Sequence, residues 1–92
     1  LENCRDVGTY FLAGLAGLKD KYPFIRDVRG KGLILAAELA VAGDDIVRAC
    51  MAKGLLINCT NGNILRFVPP LIITRADVDR ALAIIDEVMG NR

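Results

Sequence analysis

The sequence predicts an α+β domain: a small sheet of about three strands with helices packed on one face, in the order α-β-α-β-β-α. Three observations carry this. Two stretches, at the start and the end of the chain, repeat apolar residues at helical spacing. A run at residues 33–39 is apolar on both faces of a strand. Asn61-Gly62, set between apolar runs, is the dipeptide that most favours a hairpin, because both residues tolerate the positive φ angles of a type I′ turn. A small sheet with helices on one side is the natural packing for such parts.

The first helix rests on Val7, Phe11, Leu15 and Leu18, with Tyr10 and Gly14 beside them, and spans roughly residues 2–20. Tyr22-Pro23 ends it, since the residue before proline is pushed out of the α region. Val28-Arg29-Gly30-Lys31-Gly32 then leads into the strand at 33–39. Leu33, Leu35, Ala37 and Leu39 share one face of that strand; Ile34 and Ala36 share the other, ahead of Glu38. Such a strand lies inside a sheet and is covered twice. Local helices cover one face, and the second cover is expected in a larger parent protein.

Asp44 or Asp45 is expected to cap a short helix that buries Ile46, Val47, Ala49 and Cys50, with Gly54 at its C′ position. If Asn61 and Gly62 alone form the loop, residues 63–68 pair back on residues 55–60. Cys59 is then opposite Ile64, Ile57 opposite Arg66 and Leu55 opposite Val68. Pro69-Pro70 closes the hairpin, because proline cannot continue a central strand. Thr74 caps the last helix with Asp77 at N3, a capping-box arrangement, and Ile73 and Val78 occupy the hydrophobic-staple positions. Val78, Leu82, Ile85 and Met89, widened by Ala81 and Val88, form its apolar stripe.

Ninety-two residues make a single small domain, 1–92. The apolar fraction of 53% is high, since ordinary domains reach roughly 45–50% only with glycine counted. The chain starts at Leu1, directly on a helical pattern, which fits a piece of a larger protein. A net charge of +1 gives no support to a nucleic-acid surface. Cys4, Cys50 and Cys59 lack any CxxC spacing and there is no histidine, so a structural zinc site and a disulfide framework are both set aside. Reduced thiols in a cytoplasmic protein are the economical reading. No apolar run is long enough to span a membrane.

Few residues carry chemistry. The glycines of Arg29-Gly30-Lys31-Gly32 precede a strand, whereas phosphate cradles follow a strand and open a helix, so a kinked lead into the strand is preferred. Lys31 is expected in solvent. Cys59 has no histidine base within the chain and is given no nucleophilic role. Asp44-Asp45 and the Asp77/Asp79 pair lie at helix N-termini, where they favour the helix dipole.

Arg66 is the exception, a guanidinium within an apolar strand. In the two-residue hairpin it shares its face with Leu55, Ile57, Cys59, Ile64 and Val68. Two readings stay open: the side chain snorkels to water at a sheet edge, or its rigid fork meets an anion, for which a carboxylate is the fitting partner.

Three segments carry a resemblance: Lys-Tyr-Pro-Phe-Ile-Arg-Asp-Val-Arg-Gly-Lys-Gly-Leu (21–33), Lys-Gly-Leu-Leu-Ile-Asn (53–58) and Ile-Leu-Arg-Phe-Val-Pro-Pro-Leu-Ile-Ile-Thr (64–74). They resemble the C-terminal small domain of class III pyridoxal-phosphate aminotransferases, over essentially the whole chain and in the expected order. The resemblance implies a small domain that packs on a large domain of the same chain, within a homodimeric enzyme. It implies that pyridoxal 5'-phosphate is held in the large domain by a lysine absent from these residues, since Lys19, Lys21, Lys31 and Lys53 match no cofactor motif. No catalytic, cofactor-binding or metal-binding residue is therefore expected in this chain. Arg66 matches the family's Leu/Ile-Arg-Phe arginine, which faces the cleft near a substrate carboxylate or a glutamate of the large domain. The implied reaction moves an amino group from an acylated ornithine to 2-oxoglutarate, in arginine biosynthesis, with the fragment inactive alone. Ornithine, succinylornithine and 4-aminobutyrate are the other donors to weigh. A free-standing α+β ligand-binding or regulatory module is the alternative of another class.

Overall fold

A computed structural model describes residues 2–31, 34–67 and 74–91, with the side chains of 6–30, 34–67 and 74–91. The elements are α1 (Glu2–Lys21), β1 (Ile25–Lys31), β2 (Ile34–Leu39), α2 (Asp44–Ala52), β3 (Asn58–Thr60), β4 (Ile64–Phe67) and α3 (Arg75–Gly90). The class is α+β, as expected, with one strand more than the sequence suggests. The segment expected only to lead into β2 is itself the strand β1. It pairs antiparallel with β2 from Ile25↔Leu39 to Lys31↔Ile34.

The sheet has the order β1-β2-β4-β3, and every described pairing is antiparallel. The three helices lie on one side of it. Facing them, Leu35, Ala37 and Leu39 of β2 and Leu65 and Phe67 of β4 are buried. Helix α1 presents Val7, Phe11, Leu15 and Leu18, all buried at the expected spacing. The Phe11 and Phe67 rings meet with centroids 5.7 Å apart, a tilted pair that joins α1 to β4.

Helix α3 begins as the sequence predicts. The Thr74 hydroxyl accepts from the Asp77 amide at 3.1 Å, and the Asp77 carboxylate accepts from the Thr74 amide at 3.0 Å. Val78, Ala81, Ile85, Val88 and Met89 are buried and Leu82 is half-buried. Leu33, Val68, Pro69-Pro70 and the staple residue Ile73 lie outside the described residues.

Helix α2 starts differently. Its N-cap is Gly43, without a side-chain cap bond, and Asp44 and Asp45 sit in the first turn. There they act on the helix dipole rather than as caps. Its end matches the expectation. Gly54, at φ +92, donates to the Met51 carbonyl while Leu55 donates to that of Cys50. This pair of bonds is a Schellman motif, and glycine is favoured because the C′ residue must be left-handed.

The hairpin between β3 and β4 holds the main correction. Asn61 (φ 53) and Gly62 (φ 79) both take positive φ, and Asn63 donates to the Thr60 carbonyl at 3.3 Å, as a type I′ turn requires. Yet the ladder resumes at Thr60↔Ile64, with Cys59↔Leu65 and Asn58↔Arg66. Asn63 is diverted to β2. Its carbonyl accepts from the Leu39 amide at 2.9 Å, and its side-chain amide donates to the Leu39 carbonyl at 2.9 Å. The register therefore differs by one residue from that of a two-residue hairpin. Such a shift turns a whole strand over relative to its partner.

Candidate functional site

Because of that shift, Ile57 is buried and Cys59 is packed against the core, so neither shares a face with Arg66. The neighbours of Arg66 are Asn58 on β3 and Ala36 on β2, its partners in register. Ala36 is in turn opposite Arg29 on β1. A row Arg29–Ala36–Arg66–Asn58 thus crosses the side of the sheet opposite the three described helices. The next row is Asp27–Glu38–Ile64–Thr60.

This open side contains a shallow depression of about 480 Å³, lined by Arg29, Gly30, Ile34, Ala36, Thr60, Ile64 and Arg66. Ala36 lies between two arginine-bearing strands, and its short side chain leaves the space. The chain sets Arg66 there by alternation. In Leu65-Arg66-Phe67 the flanking residues are 0% and 3% exposed against the helices, so the residue between them must point the other way. Arg66 is exposed.

The two arginines differ in their partners. Arg29 donates to the Asp27 carboxylate at 3.0 Å and to the Glu38 carboxylate at 3.4 Å. Arg66 makes no ion pair or hydrogen bond with another described residue. One guanidinium is compensated within the chain, and the other presents its full charge outward.

The groups with displaced pKa lie elsewhere. Asp86 on α3 is held below the ordinary carboxylate range by the Tyr22 hydroxyl first and the Lys21 ammonium second. Asp77 is lowered by the Thr74 backbone amide and hydroxyl of the capping box. Burial pushes the Cys50 thiol up. Cys50 and Cys59 are free thiols. Asp79 receives the Tyr10 hydroxyl.

A likeness to known proteins follows the whole domain. The family model for class-III aminotransferases matches residues 1–89. The chain belongs to the class-III aminotransferases. Among its relatives, the acetylornithine aminotransferase of Methanocaldococcus jannaschii is 48% identical over 83 residues, 90% of this chain and 21% of that protein. The acetylornithine aminotransferase of Caldanaerobacter subterraneus subsp. tengcongensis is 43% identical over 91 residues, 98% of this chain and 23% of that protein. A solved acetylornithine aminotransferase from Elizabethkingia anophelis superposes with a TM-score of 0.91 at 31% identity, over 99% of this chain and 25% of that one. The chain thus spans about a fifth to a quarter of the length of these aminotransferases.

Class-III aminotransferases are pyridoxal-phosphate enzymes, and the described lysines do not fit that group. The Lys21 ammonium pairs with Asp86 at 3.0 Å and that of Lys53 with Glu87 at 2.9 Å. Lys19 is exposed on α1, and none of the three lines the depression. The side chain of Lys31 lies outside the described residues. Gly30, considered for a phosphate loop, sits in a paired strand with Leu35 over it. Arg29 and Thr60, which the sequence did not single out, line the same depression as Arg66. Their signal is visible only once the register is known.

Proposed function

We propose that residues 1–92 are the C-terminal small domain of an aminotransferase that moves the amino group of N-acetylornithine to 2-oxoglutarate, a step of arginine biosynthesis. The domain closes the active-site cleft and supplies Arg66 to a carboxylate; alone it is inactive. A large domain of the same chain, in a homodimer, holds pyridoxal phosphate and covers the open side of the sheet. The observation that carries this reading is Arg66, outward-facing beside Ala36 with no anionic partner among the described residues. An exposed Ile34, at 54%, on the same side supports a cover from outside these residues. The names of the relatives support the choice of amino donor.

In this reading the guanidinium fork takes a carboxylate by two parallel hydrogen bonds and fixes its plane. The buried neighbours Leu65 and Phe67 hold the strand beneath it. The partner is either a substrate carboxylate or a glutamate lent by the large domain.

The test is Arg66→Ala in the full-length enzyme. Loss of charge-assisted bonds worth roughly 1.5–3 kcal/mol lowers kcat/KM about ten- to hundredfold for at least one half-reaction. Arg66→Lys restores little, because an ammonium lacks the planar fork. A loss confined to one substrate marks direct contact with that substrate's carboxylate. A changed balance between amino donor and 2-oxoglutarate marks the glutamate. Unchanged rates in both half-reactions would leave Arg66 a solvated edge residue and refute the assignment.

A further inference from the structure

We propose that the Thr60 hydroxyl is the second hydrogen-bonding group of the Arg66 site, and that the depression over Ala36 takes the carboxylate end of a small aliphatic acid. The inference rests on the reading of Arg66 as a carboxylate-binding residue and names its companion and the shape of its ligand. Three observations lead there.

The first is the asymmetry of the row Arg29–Ala36–Arg66. The wall formed by Arg29 is neutralised by Asp27 and Glu38 on the same open side. Among the described residues that line the depression, an arriving anion meets uncompensated charge only at Arg66, while the two carboxylates at the far wall repel any second negative group. A ligand is therefore accepted with one carboxylate at the sheet. A dicarboxylic acid must point its other end away.

The second is the position of Thr60. Two β3 residues flank Arg66 on the open side: Asn58, directly opposite, and Thr60, one step along the diagonal. Thr60 lines the same depression as Arg66, whereas Asn58 lines a separate hollow with Asp44, Val47 and Arg48 of α2. Diagonal neighbours on adjacent strands lie about 7–8 Å apart, within reach of a long side chain. The Thr60 carbonyl accepts from Asn63 in the turn, which anchors the residue, while its hydroxyl bonds no described residue. A carboxylate offers about four lone-pair sites; the arginine fork fills two and a hydroxyl can fill a third.

The third is the floor, formed by Ala36 and Ile64 with Ile34 beside them. These are apolar, and suit methylene carbons adjoining the carboxylate rather than further polar groups.

The experiment uses the full-length enzyme with Thr60→Val, Thr60→Ser and Arg66→Ala. KM and kcat are measured for each substrate, and acetate, propionate and butyrate serve as competitive inhibitors. Valine keeps the β-branched shape that suits a strand. Thr60→Val is expected to raise KM for the substrate that Arg66→Ala impairs, and Ki for butyrate, by roughly three- to tenfold with little change in kcat. Thr60→Ser is expected to stay near wild type. Inhibition should strengthen from acetate to butyrate as carbons cover the floor.

If Thr60→Val leaves KM and Ki unchanged while Arg66→Ala weakens both, the role of Thr60 is refuted and the assignment of Arg66 stands. If Thr60→Ser fails as Thr60→Val does, the methyl packing rather than the hydroxyl matters, and the inference is again refuted. If Arg66→Ala is also silent, the underlying reading falls with it.

Discussion

The two sides of the sheet are built from the same strands and have opposite characters. Toward the helices, β2 and β4 present Leu35, Ala37, Leu39, Leu65 and Phe67, all buried. Away from them the same strands present Ile34, Ala36, Glu38, Ile64 and Arg66, none of them buried. Among the described residues the core on the helix side is apolar and is completed by residues of this chain. The open side mixes aliphatic residues with Asp27, Arg29, Glu38 and Arg66, and three of those four charges satisfy one another. A face evolved only for water has no need of Ile34 and Ile64, and a face evolved only for packing has no need of Arg66. The open side suits an interface that includes an anion.

That contrast is sharpest between adjacent residues. Leu65 is fully buried, and its truncation to alanine in the 92-residue chain should cost about 2–5 kcal/mol through lost transfer energy and a cavity. Ile64, next to it but half-buried on the open side, should cost less than about 1.5 kcal/mol on the same change. Urea denaturation midpoints at unchanged slope give both values. Equal costs would mean that the open side is packed as tightly as the covered one, and the contrast would fail.

Adding bulk probes the same difference more gently. A Cβ on Gly30 would lie 2.1 Å from Leu35 Cδ2, and Leu35 is only 1% exposed, with little room to turn away. Gly30→Ala should therefore cost about 1–3 kcal/mol by overpacking, despite the gain in chain stiffness. Ala36→Val adds bulk one register position away, on the open side, and should stay within about 0.5 kcal/mol of wild type. A neutral Gly30→Ala would show that Leu35 can shift and that the covered side is looser than its burial suggests.

Much of the covered side was legible in the sequence and little of the open side was. Helix stripes such as Val7, Phe11, Leu15 and Leu18 repeat over several turns, so one irregularity does not erase them. The strand β1 was hidden because its pairing shifts between Ile25 and Asp27. This irregularity puts Ile25 and Val28 on the helix side at odd spacing, and the period of two disappears. The surroundings of Arg66 were misread for a related reason. The Asn61-Gly62 turn forms, but Asn63 spends its carbonyl and side-chain amide on Leu39, and a contact 24 residues away fixes the register. No local pattern announces such a contact. Arg66 could still be picked out, since a charge between Leu65 and Phe67 is conspicuous in any register.

The smallest expected effect concerns the helical layer on the covered side, at the seam of α1 and α3. Asp86 accepts from the Tyr22 hydroxyl and from the Lys21 ammonium at 3.0 and 3.1 Å, and both hold its carboxyl below the usual range. A carboxyl with a folded pKa below its unfolded one stabilises the fold above the unfolded value. That contribution is lost as pH falls through the folded pKa, because the unfolded chain binds the proton more readily. The window thus begins near the ordinary carboxylate value of about 4 and extends below it. Asp86 is more than a third exposed, so screening keeps the effect under about 1 kcal/mol. Asp86→Asn should lower stability slightly at neutral pH and flatten the acid limb of the stability profile. Asp77, also depressed by its capping contacts, remains in both proteins, so the difference between the two profiles isolates Asp86. Tyr22→Phe should remove the larger share of that difference, since the Tyr22 hydroxyl is the leading cause. Superimposable acid limbs for wild type and Asp86→Asn would show that the seam adds nothing electrostatic, leaving the covered side to apolar packing alone and drawing the line between the two sides more sharply still.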